Sequence, residues 1–354
     1  MDSPLISVAM VTCNVERFLA ESIESVLGQS IGDFEFIVLD YGSTDKSREI
    51  VLSYAAKDAR IKLHQTPTCT LAEARTTVCS LASGRYIAVQ DADDNSLPNR
   101  LLWEVEFMDR HPEVAIVGSA AQWINGDGRV LLTSRPPTSD EEIRKALLVG
   151  SPFVHTSVLM RRQAFAQVGG YRRAFPPSED YDLYLRLSEH FQCANLESVA
   201  VQYRLHSQQV SLRWRRQQTM AKLAAQASAA ARRTGRKDPF DSIPEITESL
   251  LLEVGVSRVQ LQAGLFRGYQ DWIYNMFLAG EYSVALQTAL EVLGSNWQEV
   301  DQKQVADLRL MVARLFWKKK KFDRSLVAAS RALIARPVLA REMFVSLLRK
   351  VRRS

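Results

Sequence analysis

Three aspartates follow a short β-rich run within four residues of one another. They lie in Asp91-Ala92-Asp93-Asp94, directly after Arg85–Val89 and Gln90. Carboxylate oxygens are hard ligands, and Mg²⁺ and Mn²⁺ are commonly bound by them together with substrate phosphates. In a plainer interpretation, a residue of 94–96 only caps the helix that begins near Pro98. The cluster by itself leaves a metal site and a helix cap both open.

The elements around this cluster alternate between strands and helices. Short apolar, β-branched runs predict strands, and apolar stripes with helical spacing predict helices. This alternation predicts right-handed βαβ units and a mainly parallel sheet, whose ligands bind at the carboxyl ends of the strands. The predicted strands are Ile6–Val11, Phe34–Leu39, Ile61–His64 and Arg85–Val89, and the predicted helices are Phe18–Leu27, about 43–56 and about 71–82.

The rest of the chain changes from mixed to helical character. Residues 114–119 and 154–160 predict further strands, a helix is expected over about 179–190, and from Gln217 onward the pattern is almost wholly helical. The predicted parts are a catalytic-type α/β domain over residues 1–215, a helical linker over 216–240 and an α-helical region over 241–354.

Two segments near the end of the chain repeat weakly. Ala279–Leu286 aligns with Lys319–Leu326 at a spacing of forty, and Ala289 and Ala329 recur at the same offset. An aromatic residue followed by small residues three and seven positions later resembles the helix pairs of tetratricopeptide repeats, although their usual period is about 34 residues. The pattern predicts repeated helical hairpins.

The net charge of +5 divides unevenly along the chain. Residues 1–200 carry 19 basic and 27 acidic side chains, and residues 201–354 carry 26 and 13. The acidic first part argues against nucleic-acid binding. The basic end Val338–Ser354 carries an apolar stripe, which fits a helix on an anionic membrane surface, a cap on the repeat or a contact with a protein partner.

Composition excludes several other classes of protein. No apolar run approaches the roughly 18–20 residues that cross a bilayer, and the four cysteines lack C-x-x-C spacing. With no signal peptide pattern at the start, these features predict a cytoplasmic protein, either free or peripheral at the inner face of the plasma membrane. Cys13–Arg17 contains no glycine, which excludes the G-x-G-x-x-G loop of a dinucleotide-dependent oxidoreductase.

An ordered set of motifs runs through residues 4–210. The motifs are Ile6–Asn14, Phe34–Asp45, Gly84–Asp94, Gly169–Tyr171, Ser178–Leu183 and Tyr203–His206. This set resembles glycosyltransferase family 2, a group of inverting enzymes with the GT-A fold. The resemblance implies an α/β, Rossmann-like domain with a mainly parallel sheet and flanking helices, followed here by an all-α C-terminal region.

The resemblance implies a site for a nucleotide-sugar donor, commonly a UDP-sugar. Thr12 and Asn14 match the loop that borders the nucleotide, and Asp40 matches the carboxylate that binds the base. Arg75 matches an arginine that faces the nucleotide or diphosphate, and Asp91 matches the first acid of a D-x-D pair, which approaches the ribose. Considered alone, Asp40 fits a helix cap equally well.

The resemblance also implies a divalent cation, Mn²⁺ or Mg²⁺, and a general base. Asp93 matches the acid that holds the metal, and His206 matches a histidine near the diphosphate and the metal. Asp180 matches the base, and Glu179 and His155 are weaker candidates for the acceptor side. The metal neutralises charge on the leaving diphosphate while the carboxylate takes the proton of the attacking hydroxyl. Considered alone, the aspartate fits a charge at a helix N-terminus, and the histidines fit buried structural positions.

Three positions depart from the family's usual pattern. Cys13 replaces the usual tyrosine, Tyr41 a second acid and Thr76 an asparagine. These departures concern the nucleotide and leave the metal acid and the base in place. We therefore expect an inverting hexosyltransferase that acts on a hydroxyl of a glycan, a lipid-linked or a protein-linked saccharide. A non-catalytic binding or scaffold module of the same shape is the alternative.

Overall fold

The computed structural model describes residues 3–209 and 214–335. These residues form two units, one built from residues 3–204 and 220–250 and the other from the remaining described residues. The predicted domain boundaries at residues 215 and 240 stay a prediction, and the predicted segment Val338–Ser354 lies outside the described residues. Among the described residues, no helix is both long and apolar enough to cross a membrane.

The first unit contains the predicted parallel strands. β1 (Ile6–Thr12) pairs in parallel with β2 (Phe34–Asp40) on one side and with β4 (Tyr86–Asp91) on the other, and β3 (Ile61–Gln65) pairs in parallel with β2. Every residue of β2 is buried, as expected for an apolar strand covered on both faces. The four strand predictions are confirmed to within two residues at each end.

Antiparallel strands extend the sheet beyond β4. β8 (Leu159–Arg161) pairs with β4 and with β6 (Val114–Asn125), which also pairs with β7 (Val130–Thr133). β9 (Gln192–Leu205) and the short β5 (Asn95–Ser96) complete the order β3-β2-β1-β4-β8-β6-β9-β5. The α/β class is confirmed, and the sheet is mixed, with its parallel half at the β3 end.

Helices connect the strands of this unit and complete its core. In the first helix, Phe18, Leu19, Ile23 and Val26 are buried and form the predicted apolar stripe, which packs against residues of β1 and β2. The helices are α1 (Glu16–Leu27), α2 (Ser47–Ala55), α3 (Leu71–Ser80), α4 (Arg100–Arg110), α5 (Asp140–Leu147), α6 (Arg162–Gln167) and α7 (Glu179–His190).

One strand prediction is wrong. The expected strand over residues 154–160 is instead a 3₁₀ turn at His155–Ser157 that leads into β8. Ser157 donates both its N–H and its hydroxyl to Val154 O, at 2.8 Å each. A short polar side chain that bonds nearby backbone groups favours a turn over a strand, and this turn carries His155 to the end of the neighbouring β4.

The second unit has helices as its regular elements. α8 (Arg215–Arg233) and α9 (Glu248–Glu253) have residues in both units, and the later helices belong to the second. These are α10 (Arg258–Ala279), α11 (Tyr282–Gly294), α12 (Gln302–Lys318) and α13 (Phe322–Ala335). α10 packs with α11 and α12 with α13, around a core that includes Phe266, Trp272 and Leu315. The predicted helical character is confirmed for residues 214–335.

The two segments of the predicted repeat share a backbone form. Gly280 and Lys320, forty residues apart, have left-handed φ values of +88° and +58°, and Tyr282 and Phe322 each begin a helix. A left-handed residue just after a helix ends that helix and turns the chain. The repeat in sequence is therefore a repeat of helix-turn-helix corners, and a relationship to tetratricopeptide repeats stays a prediction.

A buried carboxylate in β2 gives the first unit a pH-dependent stability. Glu35 accepts hydrogen bonds from Ser7 Oγ at 2.6 Å, from Ser83 N at 2.8 Å and from Lys62 Nζ at 2.5 Å. Burial acts to raise its pKa, but these bonds outweigh burial and lower the pKa from 4.5 to about 2. Because the folded pKa is the lower one, the stabilisation is complete above pH 4.5 and is lost as the pH falls toward 2.

We therefore expect Glu35→Gln to lower the free energy of unfolding by about 2 kcal/mol at neutral pH and by much less near pH 2, allowing for solvent screening at Lys62. Urea unfolding at the two pH values measures the difference. Glu49→Gln, at an exposed position of α2, is the control. An equal loss at both pH values would mean that the charge of Glu35 is not the stabilising feature.

Candidate active site

Three strands of the parallel half end at one edge of the sheet. Thr12 is the register partner of Asp40, and Val11 is the partner of Asp91. The side chains that end β1, β2 and β4 are therefore neighbours, as the strand pattern predicts. Thr12 Oγ1 is buried without a hydrogen-bond partner among the described residues, and buried hydroxyls in this condition commonly bond water or a ligand.

One asparagine joins the loops that follow β1 and β2. Asn14 has a left-handed φ of +53°, which asparagine tolerates better than most residues. Its Oδ1 accepts hydrogen bonds from Thr44 N at 2.8 Å and from Asp45 N at 3.3 Å. Asp45 Oδ1 in turn accepts from Ser47 N at 2.9 Å, so a turn occupies residues 43–46 and α2 begins four residues later than predicted. A contact between Asn14 and the nucleotide stays a prediction.

The carboxylate at the end of β2 is buried and bonded by the protein. Asp40 Oδ1 accepts hydrogen bonds from Gly42 N at 3.2 Å and from Ser43 N at 2.8 Å, and Oδ2 accepts from Arg48 Nε at 2.7 Å. Burial acts to raise the pKa of Asp40, but the bonds from Ser43 and Arg48 hold it below its usual value. Asp40 therefore shapes the loop after β2, and its predicted contact with the base stays a prediction.

The first acid of the D-x-D pair lies between two cationic groups. Asp91 Oδ1 accepts from Arg75 Nη2 at 3.0 Å, and Asp91 Oδ2 lies 3.0 Å from His155 Nδ1. Burial alone would raise the pKa of Asp91, but His155 and Arg75 hold it well below its usual range. The carboxylate is therefore charged and held in one orientation at the end of β4.

The arginine that bonds Asp91 also bonds an acid of α7. Arg75 Nη1 donates to Glu179 Oε1 at 2.5 Å, and the arginine side chain is only 14% exposed. Sequence reasoning expects Arg75 to face the nucleotide, and a role there stays a prediction. Its observed contacts make it a bridge between the end of β4 and the first turn of α7.

A histidine and a tyrosine complete this cluster. His155 Nε2 lies 3.3 Å from the hydroxyl of Tyr171, and both residues are buried. The sequence predicts His155 only as a weak acceptor-side candidate and assigns no role to Tyr171, although Gly169–Tyr171 is one of the quoted motifs. The signal was present in the motif, but the contact with Asp91 depends on the 3₁₀ turn that sequence reasoning missed.

The second acid of the pair lies on a loop that a buried arginine holds. Arg204 Nε donates to Asp93 O at 2.8 Å, and Arg204 N donates to Asp94 Oδ1 at 2.7 Å. Asp94 is fully buried, and burial together with the charges of Asp93 and Asp91 raises its pKa well above the usual value. The side chain of Asp93 is half-buried and reaches the surface, so it is the more accessible carboxylate of the loop.

The predicted metal histidine is found in the second unit. His206 is buried, and its Nδ1 accepts from Gln208 N at 3.3 Å. Within residues 3–209 and 214–335, no group of three or more His, Cys, Asp or Glu residues could hold a metal ion by itself. A role for His206 at a metal stays a prediction.

The acids in the first turn of α7 have two different environments. Glu179 and Asp182 are fully buried, the first paired with Arg75 and the second with Arg172 and Arg186. Burial and the neighbouring charge of Asp180 raise the pKa of Glu179, although Arg75 opposes the rise. Asp180 is half-buried, so it is the acid of this turn that a substrate can reach.

Comparison with known proteins identifies the family. A model of glycosyl transferase family 2 matches residues 7–169. EpsE of Bacillus subtilis (strain 168), named as a glycosyltransferase, is 38% identical over 206 residues, which are 57% of this chain and 73% of EpsE. The chain belongs to glycosyltransferase family 2. WbnJ of Escherichia coli, named as an O-antigen biosynthesis glycosyltransferase, is 28% identical over 207 residues, 57% of this chain and 80% of WbnJ.

Solved structures show the same fold as this family 2 glycosyltransferase at low sequence identity. S. aureus TarS 1-349 in complex with UDP-GlcNAc has a TM-score of 0.53 and 16% identity, covering 92% of this chain and 90% of that chain. The mannosyltransferase PcManGT from Pyrobaculum calidifontis, in complex with GDP-Man and Mn²⁺, has a TM-score of 0.51 and 15% identity, covering 94% and 88%. The predicted GT-A-like architecture is thereby confirmed.

The two ion pairs of Arg75 predict a loss of stability when its charge is removed. Arg75→Met leaves Asp91 and Glu179 without a shared cation, so we expect the free energy of unfolding to fall by about 3–5 kcal/mol. Arg75→Lys keeps the charge but loses the planar fork that reaches both acids, so an intermediate loss is expected. Urea unfolding compares the three proteins. Normal stability of Arg75→Met together with weaker nucleotide binding would mean that Arg75 serves the donor instead.

Proposed function

We propose that the first unit is an inverting hexosyltransferase, which moves a sugar from a nucleotide-diphosphate donor to an acceptor hydroxyl. The observation that carries the proposal is the contrast within the first turn of α7. Glu179 and Asp182 are fully buried in ion pairs, and Asp180 between them is half-buried. A general base has to reach the proton that it takes, so Asp180 is the acid that suits this role.

The charge of Asp180 acts on the same arginine as the donor-side acid. Burial acts to lower the pKa of Arg75, but Glu179, Asp91 and Asp180 together raise it. The proposed base and the D-x-D acid are therefore both close to one guanidinium. This arrangement supports a reaction in which the acceptor hydroxyl and the donor meet between α7 and the end of β4.

A nucleoside diphosphate sugar is the proposed donor, with a UDP-sugar as the first candidate. TarS and PcManGT, which share the fold, are described in complex with UDP-GlcNAc and GDP-Man. The buried, unpartnered hydroxyl of Thr12 at the shared strand edge supports a polar ligand there. In this proposal Thr12, Asn14 and Asp40 form the nucleotide end of the site, and Arg75 and Asp91 lie next to the sugar and ribose.

Asp93 fits a divalent cation, Mn²⁺ or Mg²⁺. It offers accessible hard oxygens, and Asp91 beside it is already bonded by two cationic groups. Such ions are often held by one or two carboxylates, with substrate phosphates completing the coordination. When bound, the ion would neutralise the charge that develops on the leaving diphosphate. His206 is the proposed second contact.

The residues of the chain account for the rest of the reaction. Asp180 accepts the proton of the acceptor hydroxyl as that oxygen attacks the anomeric carbon, on the face opposite the diphosphate. Asp91 is held in one orientation by Arg75 and His155, so it does not need to reorganise when the donor binds. One base and one displacement give inversion of configuration.

The acceptor is proposed to be a saccharide, free, lipid-linked or protein-linked. The named role of WbnJ in O-antigen biosynthesis supports a cell-envelope polysaccharide. A cytoplasmic enzyme at the inner face of the plasma membrane would meet such acceptors, and the C-terminal helices are the proposed contact with that membrane or with a protein partner.

Donor binding and donor hydrolysis test the proposal together. Calorimetry with UDP and Mn²⁺ measures the first, and release of UDP from UDP-GlcNAc or of GDP from GDP-mannose measures the second. Binding with turnover supports the enzyme. Binding with no turnover of any nucleotide sugar would favour the non-catalytic scaffold, and no binding of either nucleotide would reject the donor site.

The metal assignment predicts the effect of one amide. In Asp93→Asn the side chain lacks the anionic oxygen that holds the cation, so we expect UDP binding to lose its dependence on Mn²⁺. Calorimetry with and without Mn²⁺ measures this, with Asp127→Asn on the exposed turn after β6 as the control. Unchanged metal-dependent affinity in Asp93→Asn would contradict the assignment.

The base assignment predicts a separation of binding from turnover. Asp180→Asn should lower kcat by about 10²–10⁴-fold, the usual contribution of a positioned base, and leave UDP affinity nearly unchanged. Glu179→Gln is the matched comparison, because this neighbouring acid is buried against Arg75, and its loss should appear first as lower stability. Near-normal turnover by Asp180→Asn would sink its assignment as the base.

A further inference from the structure

A network of buried arginines and acids lies beside α7. Arg172 Nε donates to Asp182 Oδ2 at 2.9 Å, and Arg172 Nη1 donates to Asp238 Oδ2 at 2.9 Å. Arg232 then connects Asp238 to Glu189 near the end of α7, through Nη1–Oδ2 at 2.5 Å and Nε–Oε2 at 2.7 Å. The Asp238 side chain is only 11% exposed and that of Asp182 is fully buried.

Arg186 extends this network to the loop before α7. Its Nη2 bonds Asp182 Oδ2 at 2.8 Å and Gly170 O at 2.6 Å, and its Nη1 bonds Val168 O at 2.5 Å. Gly169 and Gly170 have φ values of +80° and +64°, a backbone conformation that glycine adopts without strain. Two successive glycines have no side chains to pack, so this loop depends on the arginines for its position.

The loop ends at a residue of the active site. The hydroxyl of Tyr171 lies 3.3 Å from His155 Nε2, and His155 Nδ1 lies 3.0 Å from Asp91 Oδ2. The residue after Tyr171 is Arg172, which bonds Asp238. A continuous series of contacts therefore leads from Asp238 to the D-x-D acid, and the same arginine bonds the helix that carries the proposed base.

We propose that Asp238 is a positioning residue of the active site, acting through Arg172. It fixes the loop 168–172 and the first turn of α7 in one arrangement, so that Tyr171 supports His155 and the proposed base Asp180 meets the acceptor. This inference rests on the proposed function of Asp180. Asp238 lies outside the segment that the family model matches, which ends at residue 169.

The bonding of Asp238 suits positioning and not chemistry. Besides the two arginines, Ser228 Oγ donates to its Oδ1 at 2.7 Å and Phe240 N donates to the same atom at 2.9 Å. Both oxygens are therefore used within the protein. Arg172 keeps its second acid, Asp182, when Asp238 loses its charge, so we expect the Asp238→Asn protein to fold with a loosened loop and not to unfold.

The test uses the full chain with Asp238→Asn, and with Asp241→Asn at a nearby exposed position as the control. Calorimetry with UDP and Mn²⁺ gives the donor affinity, hydrolysis of UDP-GlcNAc or GDP-mannose gives kcat, and hydrogen–deuterium exchange reports on residues 168–186. In Asp238→Asn we expect kcat to fall about 10–100-fold, as for small misplacements of catalytic groups. Donor affinity should stay within about two-fold, and exchange in residues 168–186 should be about ten-fold faster.

Asp238→Glu keeps the charge and should recover part of kcat, which a loss of packing alone would not do. If Asp238→Asn is insoluble, Arg172→Lys replaces it, because lysine keeps a cation against Asp182 but loses the fork that also reaches Asp238. Exchange and kcat equal to those of the Asp241→Asn control would overturn the proposal. Equal losses of UDP affinity and kcat would also overturn it, since they would indicate general damage to the fold.

Failure of the proposed function gives a different result. If the wild-type protein hydrolyses neither nucleotide sugar, the enzyme assignment fails, and exchange alone then decides the positional role of Asp238. Unchanged exchange in residues 168–186 would reject that role. Faster exchange confined to these residues would retain Asp238 as the restraint on the loop and on α7.

Discussion

Buried charges have to be paired, and in the first unit this constraint meets at one arginine. Arg75 lies between Asp91 at the end of β4 and Glu179 at the start of α7, with its side chain 14% exposed. Removing a carboxylate from water costs several kcal/mol unless an opposite charge is in contact with it. Because both acids need the same guanidinium, the sheet edge and the helix are held at a fixed separation, and the geometry of the active site follows from it.

The charge balance around this arginine bears on what the site can bind. Asp91, Asp93, Glu179 and Asp180 bring four carboxylates close to Arg75, and a diphosphate would add further negative charge. Burial raises the pKa of Glu179 and so relieves part of the repulsion, whereas Asp91 is kept charged by Arg75 and His155. A divalent cation between the accessible acid and the diphosphate is a physically reasonable way to bring the proposed donor into such a site.

The sequence predicts those parts of the fold that a local pattern specifies. β1, β2 and β4 are recognisable because a buried parallel strand needs an unbroken apolar run, and the connections then bring their carboxyl ends to one edge. The pairing of His155 with Asp91 joins residues 64 positions apart, and that of Arg75 with Glu179 joins residues 104 positions apart. No periodicity encodes such contacts. The three-residue β8 and the turn before it are too short to leave a pattern, so the position of His155 could not be predicted either.

Both acidic motifs divide their carboxylates in the same way. In the D-x-D pair Asp91 is anchored by cationic groups and Asp93 is half-buried, and in the Glu-Asp pair Glu179 is anchored by Arg75 and Asp180 is half-buried. An accessible acid at the end of a strand or helix needs a neighbour that fixes its backbone, and a buried ion pair provides that fixed point. Two adjacent acids can therefore have one structural and one chemical role. Burial decides which acid has which role, and the spacing of the residues in the sequence does not contain that information.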